Sequence, residues 1–358
     1  MKAIEITLSS FIEGIGLLLE SYSVLAPVRY DGILDFRWID DPLKIELGGQ
    51  LPYKSPKEAL FPRVEPIIRF EKDGITDACH EKPMIVVGVK PCDIASINML
   101  DIIFSEKNNK FDDPFYKRRR KNLITIGIEC TQKSRGCFCE ELGIDRSFSD
   151  GCDAFISVNG DKLIINILNP EAGSVFSGFD GRPVESMASA SKEDDHIRPD
   201  FAEDRPSTPQ YSTDPDHDAK LDISADERDL FDSIPWNIYS ESCLGCGTCT
   251  YVCPTCHCFE FRDVEKDGVV TRNRCWDSCM YPKFTLHASG HNPRPTQKER
   301  FRQRVLHKYL YLKRNCSIIA CTGCGRCIRS CPGGVNIHRT VKDIISRIEA
   351  QDRKGAVQ

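Results

Sequence analysis

No apolar run in this 358-residue chain approaches the length of a membrane span, which needs about 20 such residues. The N-terminal patch Ile15 to Leu19 is too short, and its surroundings too acidic, to span a bilayer or to direct export. A phosphate-cradling glycine loop is missing as well. Gly14-Ile15-Gly16 lacks a third glycine and a preceding strand, which excludes a dinucleotide site there. The chain holds no adjacent pair of cysteines, no Ser-His-Asp arrangement, no carboxylate pair that spacing can support and no nucleic-acid fold signature. These absences leave no evident substrate apparatus and no DNA-reading module.

What the chain has is cysteine: nineteen residues, eight of them in two matched runs. The first is Cys243-x2-Cys246-x2-Cys249-x3-Cys253-Pro254, and the second is Cys321-x2-Cys324-x2-Cys327-x3-Cys331-Pro332. This is the spacing of bacterial dicluster ferredoxins, in which the fourth cysteine of each run ligates the other cluster. The expected ligand sets are therefore Cys243, Cys246, Cys249 and Cys331 for one [4Fe–4S] cluster, and Cys321, Cys324, Cys327 and Cys253 for the second. Thiolates are soft ligands suited to iron–sulfur clusters. Gly245, Gly247, Gly323 and Gly325 flank the middle cysteines, where the backbone must bend. Two zinc knuckles would instead pair separated C-x2-C units. Cysteines used this way, with no export signal, imply a reducing, cytoplasmic setting.

The net charge of −5 conceals an asymmetry. Thr271 to Arg314 holds eleven Lys and Arg against two acids, Asp277 and Glu299. Within it, Thr296 is a candidate helix cap and Glu299 a first-turn acid, so a basic helix is expected after Pro295. Its arginines suit anionic clusters or an acidic partner better than nucleic acid. From Glu185 to Asp229 the chain is acidic and rich in Ser, Pro and Asp, and reads as a linker. The expected organisation is an N-terminal domain over 1–180, a linker over 181–225 and a ferredoxin-like domain over 226–350 with a helical insert at 256–315. The fold class is α+β: an α/β N-terminal domain joined to a dicluster ferredoxin-like domain.

Met84 to Val89 and Leu123 to Ile128 are short β-branched runs of the buried parallel kind. Apolar residues at helical spacing lie between them, which makes a β–α–β unit. Asn159-Gly160 joins a candidate hairpin. Cys92, Cys130, Cys137 and Cys139 follow the two strands, at the sheet edge where α/β proteins build sites. They read either as a third iron–sulfur cluster or as buried small hydrophobes. In the insert, Cys256, Cys258, Cys275 and Cys279 fit no familiar metal pattern. Cys253-x2-Cys256-His257 matches a haem-attachment motif, but Cys253 is already assigned to a cluster.

Taken in order, GVKPCDIAS, DPFYKRRR, GIECTQKSRGCFCEELG, CLGCGTCTYVCPTCHCF, WDSCMYPKF, SGHNPRPTQKERFRQRVLHK and CTGCGRCIRSCP resemble the iron–sulfur subunit shared by anaerobic sulfite reductase and sulfhydrogenase, in the latter its beta subunit. The resemblance implies a non-catalytic electron-transfer subunit of a hetero-oligomeric complex. Its partners would be a flavin-containing, ferredoxin-reductase-like subunit that oxidises a nicotinamide nucleotide and a catalytic reductase or hydrogenase subunit. The rival reading is a self-contained iron–sulfur reductase acting on a sulfur compound.

Overall fold

The computed structural model describes residues 2–78, 82–105, 112–184, 221, 223 and 227–355. Most of the expected linker, 185–220, lies outside the described residues, as does Cys79. The described residues fall into two compact units, one drawn from 1–61, 79–134 and 144–210, the other from 62–78, 135–143 and 211–358. The chain-order division read from the sequence is thus crossed twice, by 62–78 and by 135–143.

The first unit is built on one mixed sheet. Its strands are β1 (Lys2–Thr7), β2 (Ser23–Tyr30), β3 (Ile33–Ile39), β6 (Met84–Val89), β7 (Leu123–Ile128), β8 (Ala154–Asn159), β9 (Lys162–Ile167) and β10 (Arg182–Val184). Strands β4 (Val64–Glu71) and β5 (Gly74–Asp77) belong to the other unit. The spatial order is β10-β1-β9-β8-β7-β6-β2-β3. The central pairs β2–β6, β6–β7 and β7–β8 are parallel, and the flanking pairs are antiparallel. Every residue of β6 is buried, as expected for a strand covered on both faces. Helix α1 (Leu8–Leu18) follows β1 and supplies Phe11 and Ile15 to the core beside Val87, Ile126 and Ile156.

Helix α2 (Pro91–Ile103) makes the crossover from β6, with Pro91 in its first turn, where the missing N–H costs nothing. Helix α3 (Pro114–Lys121) is tied to it by buried Arg120, whose Nε donates to Asp101 at 3.0 Å, and by Tyr116, whose hydroxyl donates to the same carboxylate at 2.6 Å. The Asn159-Gly160 hairpin is present, and Gly160 takes φ +64°.

The second unit has a four-stranded antiparallel sheet in which β11 (Phe259–Lys266) and β12 (Val269–Trp276) join the earlier pair in the order β11-β12-β4-β5. The insert therefore opens as a β-ribbon before turning helical. Six of the eight β11 residues are exposed, so the ribbon carries too little apolar alternation to announce itself. Helix α4 (Gln297–Leu306) starts at a capping box on Thr296, whose backbone N–H donates to Glu299 at 2.7 Å. It runs on as one π-helical turn, His307–Tyr311. With α5 (Ile337–Gly355), α4 packs a core that includes Trp236, Phe301, Val305, Tyr309, Val341 and Ile344. Among the described residues no helix is long and apolar enough to cross a membrane.

Candidate metal centre

Each cysteine run forms a tight loop that turns into one short helix, Thr248–Tyr251 in the first and Arg326–Arg329 in the second. The residue before each helix is a left-handed glycine, Gly247 at φ +75° and Gly325 at φ +73°. Gly325 is constrained twice, because a Cβ there would lie 2.6 Å from the Gly136 backbone. At Gly323, φ +60°, a Cβ would lie 2.6 Å from the Cys139 amide nitrogen. The segment 135–143 thus lies directly on the second cysteine loop, and Phe138 N–H donates to Gly323 O at 2.8 Å.

Two pockets follow from this packing. One has Cys243, Cys246, Cys249 and Cys331 in its wall, with Cys327 and Arg304, around about 540 Å³ of non-atom space including its open mouth. The other has Cys321, Cys324, Cys327 and Cys253, with Arg304 and Lys308, around about 320 Å³. Among the described residues, no three His, Cys, Asp or Glu side chains converge on one position for a single ion. A zinc ion would hold its sulfurs about 2.3 Å from a common centre, whereas a cubane binds each thiolate through a different iron.

The polar groups around the pockets also suit an anionic, sulfur-rich group. The Thr322 hydroxyl in the wall of the second pocket is buried with no hydrogen-bond partner in the protein, a cost that a buried acceptor removes. Lys308 is 4% exposed. Its Nζ donates to Cys253 Sγ at 3.3 Å, Thr255 Oγ1 at 2.8 Å and Ala320 O at 2.8 Å, so all three ammonium hydrogens have acceptors. Arg304 is 5% exposed and donates to Cys249 O at 3.0 Å and Cys256 Sγ at 3.5 Å. Gln297 Nε2 donates to Cys243 Sγ at 3.1 Å, and Val335 N–H to Cys331 Sγ at 3.3 Å.

Burial opposes the Lys308 charge, but the Cys253 and Cys256 sulfurs outweigh it and raise its pKa. The same balance raises Arg304, through Cys249 and Cys256. Cys253 is held well below the ordinary thiol range by a hydrogen bond with Cys256 and, against burial, by Lys308 and Arg304. Burial pushes Cys249, Cys321 and Cys327 up. Cations set among buried thiols are what a multiply negative cluster requires of its surroundings.

The four cysteines expected to form a third cluster are divided between the units. Cys92 and Cys130 belong to the first, where burial lowers the pKa of Lys90 and the two sulfurs offset only part of that shift. Cys137 and Cys139 belong to the second, where Cys137 Sγ donates to Cys324 O at 3.3 Å. In the insert, Cys279 is raised by a hydrogen bond with Cys258 and by burial, while Cys275 lies in β12. Gln297, Thr255 and Thr322 were not singled out by sequence reasoning. For Gln297 a signal existed, since it precedes Arg304 by seven residues and so shares its helix face.

Residues 242–335 match the family model described as a 4Fe-4S dicluster domain. The chain is 30% identical over 347 residues to sulfhydrogenase 2 subunit beta of Pyrococcus furiosus, covering 96% of this chain and 98% of that protein. No solved structure matches it.

Proposed function

Since the chain belongs to the family of sulfhydrogenase 2 subunit beta and is an iron–sulfur electron-transfer subunit with a 4Fe-4S dicluster domain, we propose that it relays single electrons between two other subunits of a hetero-oligomeric complex. One partner is a flavin-containing subunit that oxidises a nicotinamide nucleotide. The other is a catalytic reductase or hydrogenase subunit.

The observation that carries this reading is the crossed composition of the two pockets, each walled by three cysteines of one run and the fourth of the other, with Cys327 reaching both walls. It supports Cys243, Cys246, Cys249 and Cys331 as ligands of one cluster, and Cys321, Cys324, Cys327 and Cys253 as ligands of the second. A [4Fe–4S] cluster at each site supplies reversible one-electron chemistry. The chain's own residues do the rest. The thiolates fix position, Lys308 and Arg304 offset negative charge, and the Thr322 hydroxyl donates into the second site.

The test is anaerobic iron and acid-labile sulfide content of the full chain with EPR of its reduced form, followed by steady-state assays with and without partner subunits. About eight irons and no turnover by the isolated chain are expected. Turnover of a sulfur compound by the isolated chain would overturn the relay in favour of a self-contained reductase.

A further inference from the structure

One face of α4 and its π-helical continuation touches ligands of both proposed sites. Gln297, Arg304 and Lys308 are spaced by seven and four residues, which returns them to the same side of a helix. Gln297 meets Cys243 Sγ at 3.1 Å, at the first site. Lys308 meets Cys253 Sγ at 3.3 Å, at the second. Arg304 stands between them and contributes to the walls of both pockets. The π-helical turn contains Lys308 itself, and such turns recur where a helix must aim a functional side chain.

The three donors differ in charge, and that difference decides what each can do. A cluster gains negative charge on reduction, so a donor to its sulfurs stabilises the reduced form. Gln297 offers a neutral amide, whereas Lys308 offers a full charge in a buried site where Coulomb interactions are strong. Arg304 acts on both sites. Solvent reaches the first site through Cys246, which is exposed, so the inference concerns the change each residue makes rather than the absolute order of the potentials.

We propose that this helix face sets the two reduction potentials separately: Lys308 raises the site containing Cys253, Gln297 raises the site containing Cys243, and Arg304 raises both. The proposal rests on the ligand assignment above. Each cluster takes one electron and no bond is made or broken, so the face governs where an electron rests within the pair. Lys308, Arg304 and Gln297 act through the ligands and are tuning residues, not catalytic ones.

The experiment is an EPR-monitored redox titration of the full, anaerobically reconstituted chain, with each signal assigned through Cys253→Ala and Cys331→Ala. Lys308→Met is expected to lower the second site's potential by at least a tenfold change in its one-electron equilibrium constant, about 59 mV, with the first site unmoved. Lys308→Arg restores the wild-type value. Gln297→Leu lowers only the first site, and Arg304→Met lowers both. Equal shifts at both sites in Lys308→Met, or no shift, overturn the proposal. If Lys308→Met fails to hold iron, Gln297→Leu and Lys308→Arg decide: a Gln297→Leu shift at the second site, or a Lys308→Arg potential far from wild type, overturns it. A wild-type chain without two separate one-electron signals removes the ligand assignment itself. Two signals without this pattern remove only the tuning role.

Discussion

Arg274 of β12 and Glu65 of β4 stand directly opposite each other across 209 residues of chain, and Arg274 Nε donates to the Glu65 carboxylate at 2.7 Å. Both are buried, Glu65 completely. The pair fastens a strand from the first fifth of the sequence to the ribbon inserted between the two cysteine runs. Glu65→Ala leaves a buried guanidinium without its carboxylate and is expected to cost about 3–5 kcal/mol. The double variant Glu65→Leu/Arg274→Met is expected to recover most of that loss. Denaturant melts of the three proteins check it.

Gly323→Ala places a Cβ against the backbone of Cys139 while also demanding φ +60° of a residue with a side chain. The second cysteine loop must shift, and the first has no such clash with it. Iron content is expected to fall from about eight to about four per chain, with one EPR signal retained. Retention of all the iron would show that the loop adapts.

Glu299→Ala removes the carboxylate that accepts the Thr296 N–H at the start of α4. The expected cost is about 1 kcal/mol, seen as a lowered melting temperature. Because α4 carries Gln297 and Arg304, cluster loss on heating should begin earlier in this variant than in wild type.

His307 is pushed down to about 3, first by burial and then by the neighbouring His257 ring and the cations Lys308, Arg294 and Arg304. An unfolded histidine takes its proton near 6.5, so between about 6.5 and about 3 the unfolded chain binds more protons than the folded one. Stability from this group is therefore complete above about 7 and falls as pH drops, by up to about 1.4 kcal/mol per unit. His307→Phe is expected to flatten the acid side of the stability curve between about pH 7.5 and 5.5. An unchanged slope would show that the imidazole is protonated in the folded state.

The cysteine runs and the core of the first unit were legible because their signals are local. Soft ligands at fixed gaps define a cluster loop, and unbroken β-branched runs such as Met84–Val89 define strands buried on both faces. The cap at Thr296 was legible for the same reason, since a capping box needs only four consecutive residues. The β11–β12 ribbon was hidden because exposed Phe261 and Val264 sit among charged neighbours on β11 while β12 buries the polar Asn273 and Arg274, so polarity does not follow the faces of the strands. The departure of 62–78 from the N-terminal domain was hidden because strand pairing across two hundred residues leaves no periodic trace.

The sequence by itself determined the chemistry: eight thiols at ferredoxin spacing, the glycines that let their loops turn, and the strands that support an α/β unit. Tertiary structure decided what surrounds that chemistry. It put Lys308 on Cys253, Arg304 into the walls of both pockets and the 135–143 segment over Gly323 and Gly325. Backbone spacing fixes what a short loop can ligate. The electrostatic environment of a buried group is fixed by side chains that arrive from distant parts of the chain.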